Sequence, residues 1–357
     1  MRIEEIDKNF LEKAPGAEDL VYYDAAEEPM IVEGLPYFYE DKKYNRIKPQ
    51  LWNPFSDGLK ELFTHTAGGC VRFITNSKKI AIRAELNSPG SMNHMPNTGS
   101  SGFDIYIKKD KKTSFLRCAF SGDCNINSMP VTNLDGQDNE IIINFPLYNG
   151  FKYLHIGLEK DACLKKPKAH TIEKPILFYG SSITQGGCAS RPGNMYSSII
   201  GRRLDAATIN FGFSGCAHGE PEMAKIISGL DMSCFVMDYD HNEANPDDLR
   251  SRHSVFFNII RDKNPDLPVI MVTRPDIYAS STEEFVKQTS EKRAIVYETY
   301  YNAVKTGDKN VYFVGGETLF AGIEPDSCTV DGCHPNDLGF HRMANVIGNA
   351  VKLALNI

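Results

Sequence analysis

The stretch that decides the fold is Pro175-Ile-Leu-Phe-Tyr-Gly-Ser-Ser-Ile-Thr184. Its apolar run, from Ile176 to Tyr179, does not alternate with polar residues, which is typical of a strand buried on both faces of a parallel sheet. The glycine and two serines that follow favour a tight exit from this strand into a helix. We therefore expect a strand-to-helix unit at the start of an α/β domain.

Four further apolar runs follow, with helix-like stretches between them. They span Thr208 to Phe211, Cys234 to Met237, Val269 to Thr273 and Val311 to Val314. This spacing suits βαβ crossovers and predicts a doubly wound, five-stranded parallel sheet over residues 175–357. Apolar residues at helical spacing from Asn336 to Leu355 predict a closing helix, with Pro335 in its first turn.

The first half of the chain has a different pattern, with short apolar or alternating runs separated by turn residues. These runs begin at Pro29, Cys70, Ile80, Phe103, Ser114 and Glu140. They predict an all-β sandwich, jelly-roll-like, over residues 1–165. The polar, basic segment over residues 166–174 is bracketed by prolines and is predicted to be a linker between two domains.

The composition, 41% hydrophobic and 24% charged, is that of an ordinary globular protein. A net charge of −7 disfavours nucleic acid and anionic membranes as partners, because both attract excess Lys and Arg.

No stretch is apolar for long enough to span a bilayer, and the first residues do not resemble a secretory signal. The nine cysteines lack the regular spacing of a disulfide-stabilised domain, which favours reduced thiols and a cytoplasmic location. Secretion is the alternative if the chain has been trimmed. A homo-oligomer is compatible with the sequence.

Ser182 follows the first buried strand, at the carboxyl end where open α/β sheets bind ligands. A helix starting there would direct backbone N–H groups at an oxyanion formed on this serine's substrate, so Ser182 is a candidate nucleophile. A serine-rich helix cap without chemistry explains the motif equally well. A phosphate-binding loop is disfavoured because no Lys-Ser/Thr pair follows the glycines.

Asp331 and His334 form a second candidate pair, just before the predicted final helix. Their spacing lets a turn bring the carboxylate to His334 Nδ1, which would leave Nε2 free to take a proton from a hydroxyl. An Asp-capped turn is the alternative. A metal site that includes Cys333 is disfavoured because no second ligand cluster has a recognisable spacing, and no cofactor is expected.

Gly215 and Asn242 lie after the second and third predicted strands. Gly215 can offer a backbone N–H and Asn242 a side-chain amide, and with the Ser182 N–H they would make a three-donor oxyanion hole. Each is an ordinary loop residue by itself. Both lie between Ser182 and His334 in the chain, and this order would bring all these groups to one edge of the sheet.

These four blocks, in this order, resemble the SGNH/GDSL hydrolase superfamily over residues 174 to 357, which implies a flavodoxin-like α/β fold for this half of the chain. By that resemblance Ser182 is the nucleophile, Gly215 and Asn242 are oxyanion donors, and Asp331 and His334 complete the triad. Two departures are Gly-Ser-Ser where the family usually has Gly-Asp-Ser, and Asp240 where a glycine usually precedes the asparagine by two. Residues 99–106 and 145–148 resemble the GxDLY β-sandwich module that precedes some SGNH esterase domains, a layout similar to that of two-domain carbohydrate acetyl esterases.

The expected activity is hydrolysis of short acyl esters, acetyl first, on small molecules or oligosaccharides. Short chains are favoured because the segment after Ser182 is compact and polar rather than an apolar trough. Candidate substrate contacts are His94, Arg274 and Tyr278, each outweighed by a plain loop role. Asp240 and His241 are further candidates, with a contribution specific to this subfamily. The alternatives are a lysophospholipase or thioesterase, a transacylase, and a non-catalytic carbohydrate-binding protein.

Overall fold

The computed structural model describes residues 6–7, 20–110, 112–276 and 282–357. Within them the N-terminal half forms an antiparallel β domain and the C-terminal half an α/β domain, which confirms the predicted fold class. The helices of the described residues are α1 Phe38–Asp41, α2 Asp57–Phe63, α3 Asn97–Ser100, α4 Ser182–Gln185, α5 Tyr196–Leu204, α6 Pro221–Ser228, α7 Pro246–Lys263, α8 Glu283–Lys305 and α9 Asp337–Leu355. In that part of the chain no helix combines the length and apolar character needed to cross a membrane.

The N-terminal domain is built from two antiparallel sheets. Its strands are β1 Leu20–Asp24, β2 Ile31–Glu33, β3 Cys70–Thr75, β4 Ile80–Leu86, β5 Phe103–Lys109, β6 Lys112–Ala119, β7 Asn125–Val131, β8 Asn139–Asn144, β9 Phe151–Glu159 and β10 Leu164–Lys165. One sheet has the order β1-β9-β4-β7 and the other β10-β3-β8-β5-β6, with β2 also pairing with β3. Inward-facing residues of both sheets, among them Phe73, Ile82 and Ile143, form one apolar core, as in a β-sandwich.

The C-terminal domain is a five-stranded parallel sheet of order β12-β11-β13-β14-β15. Its strands are β11 Ile172–Gly180, β12 Ala206–Gly212, β13 Cys234–Asp238, β14 Val269–Val272 and β15 Val311–Val314. This is the flavodoxin-like order, in which ligands bind where the strand order reverses. The reversal lies beside β11, so the loops after β11 and β13 border the expected crevice.

Alternate residues of β11 pack on opposite faces of the sheet, which explains its unbroken apolar sequence. Leu177 and Tyr179 belong to one core cluster, and Ile176 and Phe178 belong to the other. Burial on both faces is the reason that a run of four apolar residues here is a strand and not part of an amphipathic helix.

Two details differ from the sequence-based expectations. β11 begins at Ile172, inside the segment predicted as a linker, because Ile172 already pairs with Ala206 of β12. Pro335 lies before the closing helix rather than in its first turn. Asn336 is the N-cap, and its Oδ1 accepts hydrogen bonds from the backbone N–H groups of Leu338 and Gly339.

The two domains are packed together through apolar side chains. Leu59, Leu62 and Phe63 of α2 lie in the same core cluster as Phe211 and Phe213 of the α/β domain. On the other face Leu147 packs in the cluster that contains Ile183 of α4. The β domain therefore lies directly against the loops that follow β11 and β12.

Candidate active site

Ser182 is the first residue of α4 and comes two residues after the end of a buried strand. Ser181 is the N-cap, and its Oγ accepts a hydrogen bond from Ile183 N–H at 3.2 Å. Gly180 is required by close packing, because a Cβ there would lie 2.2 Å from the Asp238 carbonyl oxygen. This turn holds Ser182 at the carboxyl edge of the sheet with only 6% of its surface exposed.

Ser182, His334 and Asp331 are joined by a chain of hydrogen bonds. Ser182 Oγ lies 2.9 Å from His334 Nε2, and His334 Nδ1 lies 2.7 Å from Asp331 Oδ2. The other carboxylate oxygen, Oδ1, accepts the backbone N–H groups of Cys333 at 2.9 Å and His334 at 2.7 Å. The Asp-x-x-His turn expected from the sequence thus places both ring nitrogens of His334 against their proposed partners.

The charge state of Asp331 decides which tautomer His334 adopts. Burial raises the pKa of the Asp331 carboxyl, but hydrogen bonds from the His334 ring and from two backbone N–H groups outweigh it and leave the pKa below its ordinary value. An ionised carboxylate only accepts hydrogen bonds, so Nδ1 of a neutral His334 carries the proton. Nε2 then has a free lone pair directed at the Ser182 hydroxyl, which is the arrangement of a general base.

The candidate oxyanion donors are connected to α4 and to each other. Gly215 has φ +67°, is exposed, and faces open space, since a Cβ there would meet no atom within 4 Å. Asn242 Nδ2 donates to the Phe213 carbonyl oxygen at 3.0 Å, which fixes its amide against the loop that carries Gly215. Ser214 N–H in turn donates to Gln185 Oε1 of α4 at 3.0 Å. One N–H of the Asn242 amide remains available for a substrate oxygen.

Asp240 is fully buried beside Asn242, and its carboxylate contacts the loop after β14. Oδ2 accepts the backbone N–H of Arg274 at 3.1 Å, while Oδ1 is buried with no hydrogen-bond partner among the described residues. Burial raises the pKa of Asp240 to about 6, although the Arg274 N–H and three nearby cations oppose this rise. The residue that replaces the family's usual glycine therefore links two loops at the edge of the sheet.

The pKa of Asp240 predicts a pH-dependent stability difference between the wild type and Asp240→Asn. From about pH 4 to about pH 6 the unfolded carboxyl is ionised while the folded one stays protonated, so the wild type loses stability relative to the uncharged amide. We expect the free energy of unfolding of the variant, minus that of the wild type, to rise by roughly 3 kcal/mol between these two pH values. Above about pH 6 this difference should stay constant. Urea unfolding at several pH values measures this, and a difference independent of pH would contradict it.

Two further predicted contact residues lie close to this loop. His241 Nε2 is 3.1 Å from Cys333 Sγ, so His241 supports the turn that carries His334. Burial, with the nearby Arg274, keeps the pKa of His241 well below its ordinary value, so the ring is neutral. The Arg274 guanidinium is buried and lies over the Phe285 ring, 4.7 Å from its centre.

Two predicted contacts remain, His94 and Tyr278. The His94 side chain is exposed and makes no hydrogen bond to another described residue, although Met95 beside it packs into the core of the α/β domain. Tyr278 lies outside the described residues.

The structure also places two residues of the β domain against α4, the helix that begins with Ser182. Tyr148 OH donates to the Ser182 carbonyl oxygen at 3.1 Å, and the His65 ring lies 6.2 Å from the Tyr148 ring. Tyr148 falls in the GxDLY-like motif noted in the sequence, and that motif is the signal that could have identified it. His65 stands in no motif, and its place beside α4 follows only from the packing of the two domains.

Arg46, also from the β domain, holds the loop that follows β12. Its buried guanidinium donates to the carbonyl oxygens of Asn210 and Gly212 and lies over the Phe213 ring, 4.4 Å from its centre. The loop that presents Gly215 therefore depends on contacts from the first half of the chain.

Residues 173–352, half of the chain, match the profile of the GDSL-like lipase/acylhydrolase family. The chain belongs to this family. Residues 20–164 match the GxDLY profile, described as the N-terminus of SGNH hydrolase-type esterases. Both resemblances inferred from the sequence are thereby confirmed, and this GDSL-like protein is an acylhydrolase with a GxDLY β domain. No curated protein matches its sequence.

Solved structures show the same two-domain fold. A Bacteroides ovatus protein described as a GDSL-like lipase is 29% identical and superposes with a TM-score of 0.87, over 95% of this chain and 98% of that one. A salicylyl-acyltransferase from a tetracycline biosynthetic pathway is 18% identical, with a TM-score of 0.73 over 96% and 99% of the two chains. An acetyl xylan esterase from Butyrivibrio proteoclasticus is 12% identical, with a TM-score of 0.58 over 95% and 99%.

Proposed function

We propose that this GDSL-like protein is a serine esterase that removes short acyl groups, acetyl first, from carbohydrates. The observation that carries the proposal is the hydrogen-bonded chain from Ser182 Oγ through His334 to Asp331, with distances of 2.9 Å and 2.7 Å. One structural neighbour is an acetyl xylan esterase, which supports the choice of substrate.

The reaction proceeds in two acyl-transfer steps. Ser182 Oγ attacks the ester carbonyl carbon while its proton passes to His334 Nε2, and the oxyanion accepts hydrogen bonds from Ser182 N–H, Gly215 N–H and Asn242 Nδ2. The intermediate collapses as the imidazolium protonates the leaving alcohol. Water then attacks the acyl-serine with His334 as the base, which releases the acid and restores Ser182.

The packing behind the nucleophile favours small acyl groups. A Cβ on Gly186 would lie 2.8 Å from Leu147 Cδ1, and one on Gly187 would lie 2.6 Å from the Tyr148 hydroxyl oxygen. The segment after Ser182 is thus closed by close contacts rather than opened into an apolar channel. An acetyl group needs little space, whereas a long acyl chain would need a trough that extends away from this segment.

Replacing Asn242 with Ala tests the oxyanion hole. Loss of one preorganised donor typically lowers kcat by about 10²–10³-fold with little change in KM, because the donor acts on charge that develops in the transition state. Steady-state kinetics with p-nitrophenyl acetate measure the change. Asn245→Ala, which removes the cap of α7, is the matched control. A kcat within about twofold of wild type for Asn242→Ala would exclude Asn242 from the oxyanion hole.

The substrate class is tested by acetate release from a panel of acetylated oligosaccharides, resolved by acetyl position. Acetyl and octanoyl esters of the same alcohol are compared alongside, and an added sugar acceptor detects acyl transfer. We expect release from sugar acetates, a strong preference for acetyl, and water as the main acceptor. A preference for octanoyl would favour a lipase, a dominant transfer product would favour an acyltransferase, and binding of sugars without turnover would indicate a non-catalytic role.

A further inference from the structure

The β domain brings His65 to the helix that carries Ser182. His65 Nδ1 lies 3.2 Å from Gln185 Nε2, and Gln185 is three residues after Ser182, on the same side of α4. The His65 ring also contacts the ring of Tyr148, whose hydroxyl donates to the Ser182 carbonyl oxygen. His65 is therefore the histidine of the β domain that lies against the nucleophile helix.

The orientation of the Gln185 amide is fixed by backbone groups. One terminal atom receives the Ser214 N–H at 3.0 Å and must be the oxygen, because a backbone N–H only donates. The other faces the Leu147 carbonyl oxygen at 3.0 Å and must be the nitrogen, because a carbonyl oxygen only accepts. The second hydrogen of that NH₂ group points to His65 Nδ1.

This orientation decides the state of the imidazole. Nδ1 accepts from Gln185 and so carries no proton, which leaves the hydrogen of a neutral ring on Nε2. Burial and the nearby Arg46 guanidinium lower the pKa of His65 to about 3, so the ring remains neutral throughout the range in which esterases work. The His65 side chain is half-buried, and no hydrogen bond joins its Nε2 to another described residue.

We infer that His65 Nε2–H is a hydrogen-bond donor of the substrate site that the β domain contributes. It binds a hydroxyl or ether oxygen in the alcohol half of the ester. The inference rests on the proposed function. A neutral N–H of fixed direction recognises an oxygen acceptor. In the proposed mechanism the three oxyanion donors hold the carbonyl oxygen, and the bridging oxygen receives its proton from His334, so the acetyl ester itself offers no further acceptor. The acceptor therefore belongs to the alcohol, and free sugar hydroxyls provide it. Esters whose alcohol lacks such an oxygen leave this donor unpaired.

The test compares two esters with matched rings: a mono-acetylated methyl pentoside with free hydroxyls, and cyclohexyl acetate, which has none. In His65→Asn the amide oxygen can replace Nδ1 as the acceptor for Gln185, while nothing reaches the position of Nε2. We expect the ratio of kcat/KM for the pentoside to that for cyclohexyl acetate to fall about tenfold, mainly through a higher KM. His155→Asn, on β9 of the same domain, is the control and should keep the wild-type ratio.

His65→Leu separates substrate recognition from support of Gln185, because it removes both nitrogen atoms. If His65 acted only by holding Gln185, His65→Asn would keep the wild-type ratio, and His65→Leu would lower kcat for both esters equally. That result would overturn the inference, and so would nitrogen NMR that finds the His65 proton on Nδ1. A wild-type enzyme that cleaves cyclohexyl acetate but not the pentoside would refute the proposed sugar substrate as well. A lowered ratio in both variants, with the proton on Nε2, supports the inference.

Discussion

Ser182→Ala is expected to lower kcat for p-nitrophenyl acetate by about 10⁶-fold, to the residual rate that binding and the oxyanion donors supply without a nucleophile. Alanine removes the only atom that can form the acyl-enzyme and leaves the turn intact, because the cap is the Ser181 hydroxyl and not that of Ser182. KM should change little. Initial-rate kinetics on purified wild type and variant measure the loss.

Ser251→Ala is the matched control for this experiment. Ser251 lies on the exposed side of α7, where its hydroxyl donates to the Asp248 carbonyl oxygen, and its replacement should leave kcat and KM unchanged. Circular dichroism and thermal unfolding of both variants establish that each is folded. Retention of more than about a tenth of wild-type kcat in Ser182→Ala would show that another group carries the acyl chemistry.

Asp331→Asn is expected to lower kcat by about 10³–10⁴-fold, through the tautomer of His334 and not through its position. Two backbone N–H groups donate to Oδ1, so the amide oxygen of asparagine would occupy that site. The NH₂ group would then face His334 Nδ1, which lies 2.7 Å from Oδ2 in the wild type. Nδ1 would have to accept, the ring proton would move to Nε2, and the lone pair that removes the Ser182 proton would be lost.

Asp326→Asn, an exposed change five residues earlier in the chain, provides the matched control and should leave kcat at the wild-type value. Nitrogen NMR of the Asp331→Asn variant gives a second measurement, because it reports which ring nitrogen of His334 carries the proton. We expect the proton on Nε2. A kcat within about tenfold of wild type would mean that Ser182 and His334 act as a dyad without help from Asp331.

The α/β domain was predictable because its strands are buried on both faces. Each of the five expected apolar runs lies in a strand of the parallel sheet, although Thr273 falls just outside β14. The order of the sequence blocks then fixed which loops meet, since the carboxyl ends of parallel strands share one edge. For that reason Ser182, Asp331 and His334 could be predicted to lie together although 152 residues separate Ser182 from His334.

The sandwich was harder to predict strand by strand. The runs inferred from the sequence coincide with β2, β3, β4, β5, β6 and β8, whereas β1, β7, β9 and β10 were not inferred. In β7, Asn-Ile-Asn-Ser-Met-Pro-Val, polar residues and a proline interrupt the apolar pattern, and pairing with β4 makes the segment a strand. Its extended conformation depends on a partner distant in the chain, which local patterns do not record.

The contributions of the β domain to the site were not predictable for the same reason. Arg46, His65 and Tyr148 acquire their roles only when α2 and the segment after β8 pack against the loops after β11 and β12. No local pattern marks a histidine such as His65 as the partner of a glutamine 120 residues later. The resemblance to a GxDLY module implied a two-domain layout but did not identify these contacts.

Covalent labelling with a p-nitrophenyl dialkyl phosphate, followed by peptide mass spectrometry, tests most directly whether Ser182 is the nucleophile that His334 activates. We expect loss of esterase activity in step with a single phosphoryl adduct on Ser182, and much slower labelling in His334→Ala. An adduct on a different residue that accompanies inactivation, or full labelling of Ser182 without loss of activity, would contradict this expectation.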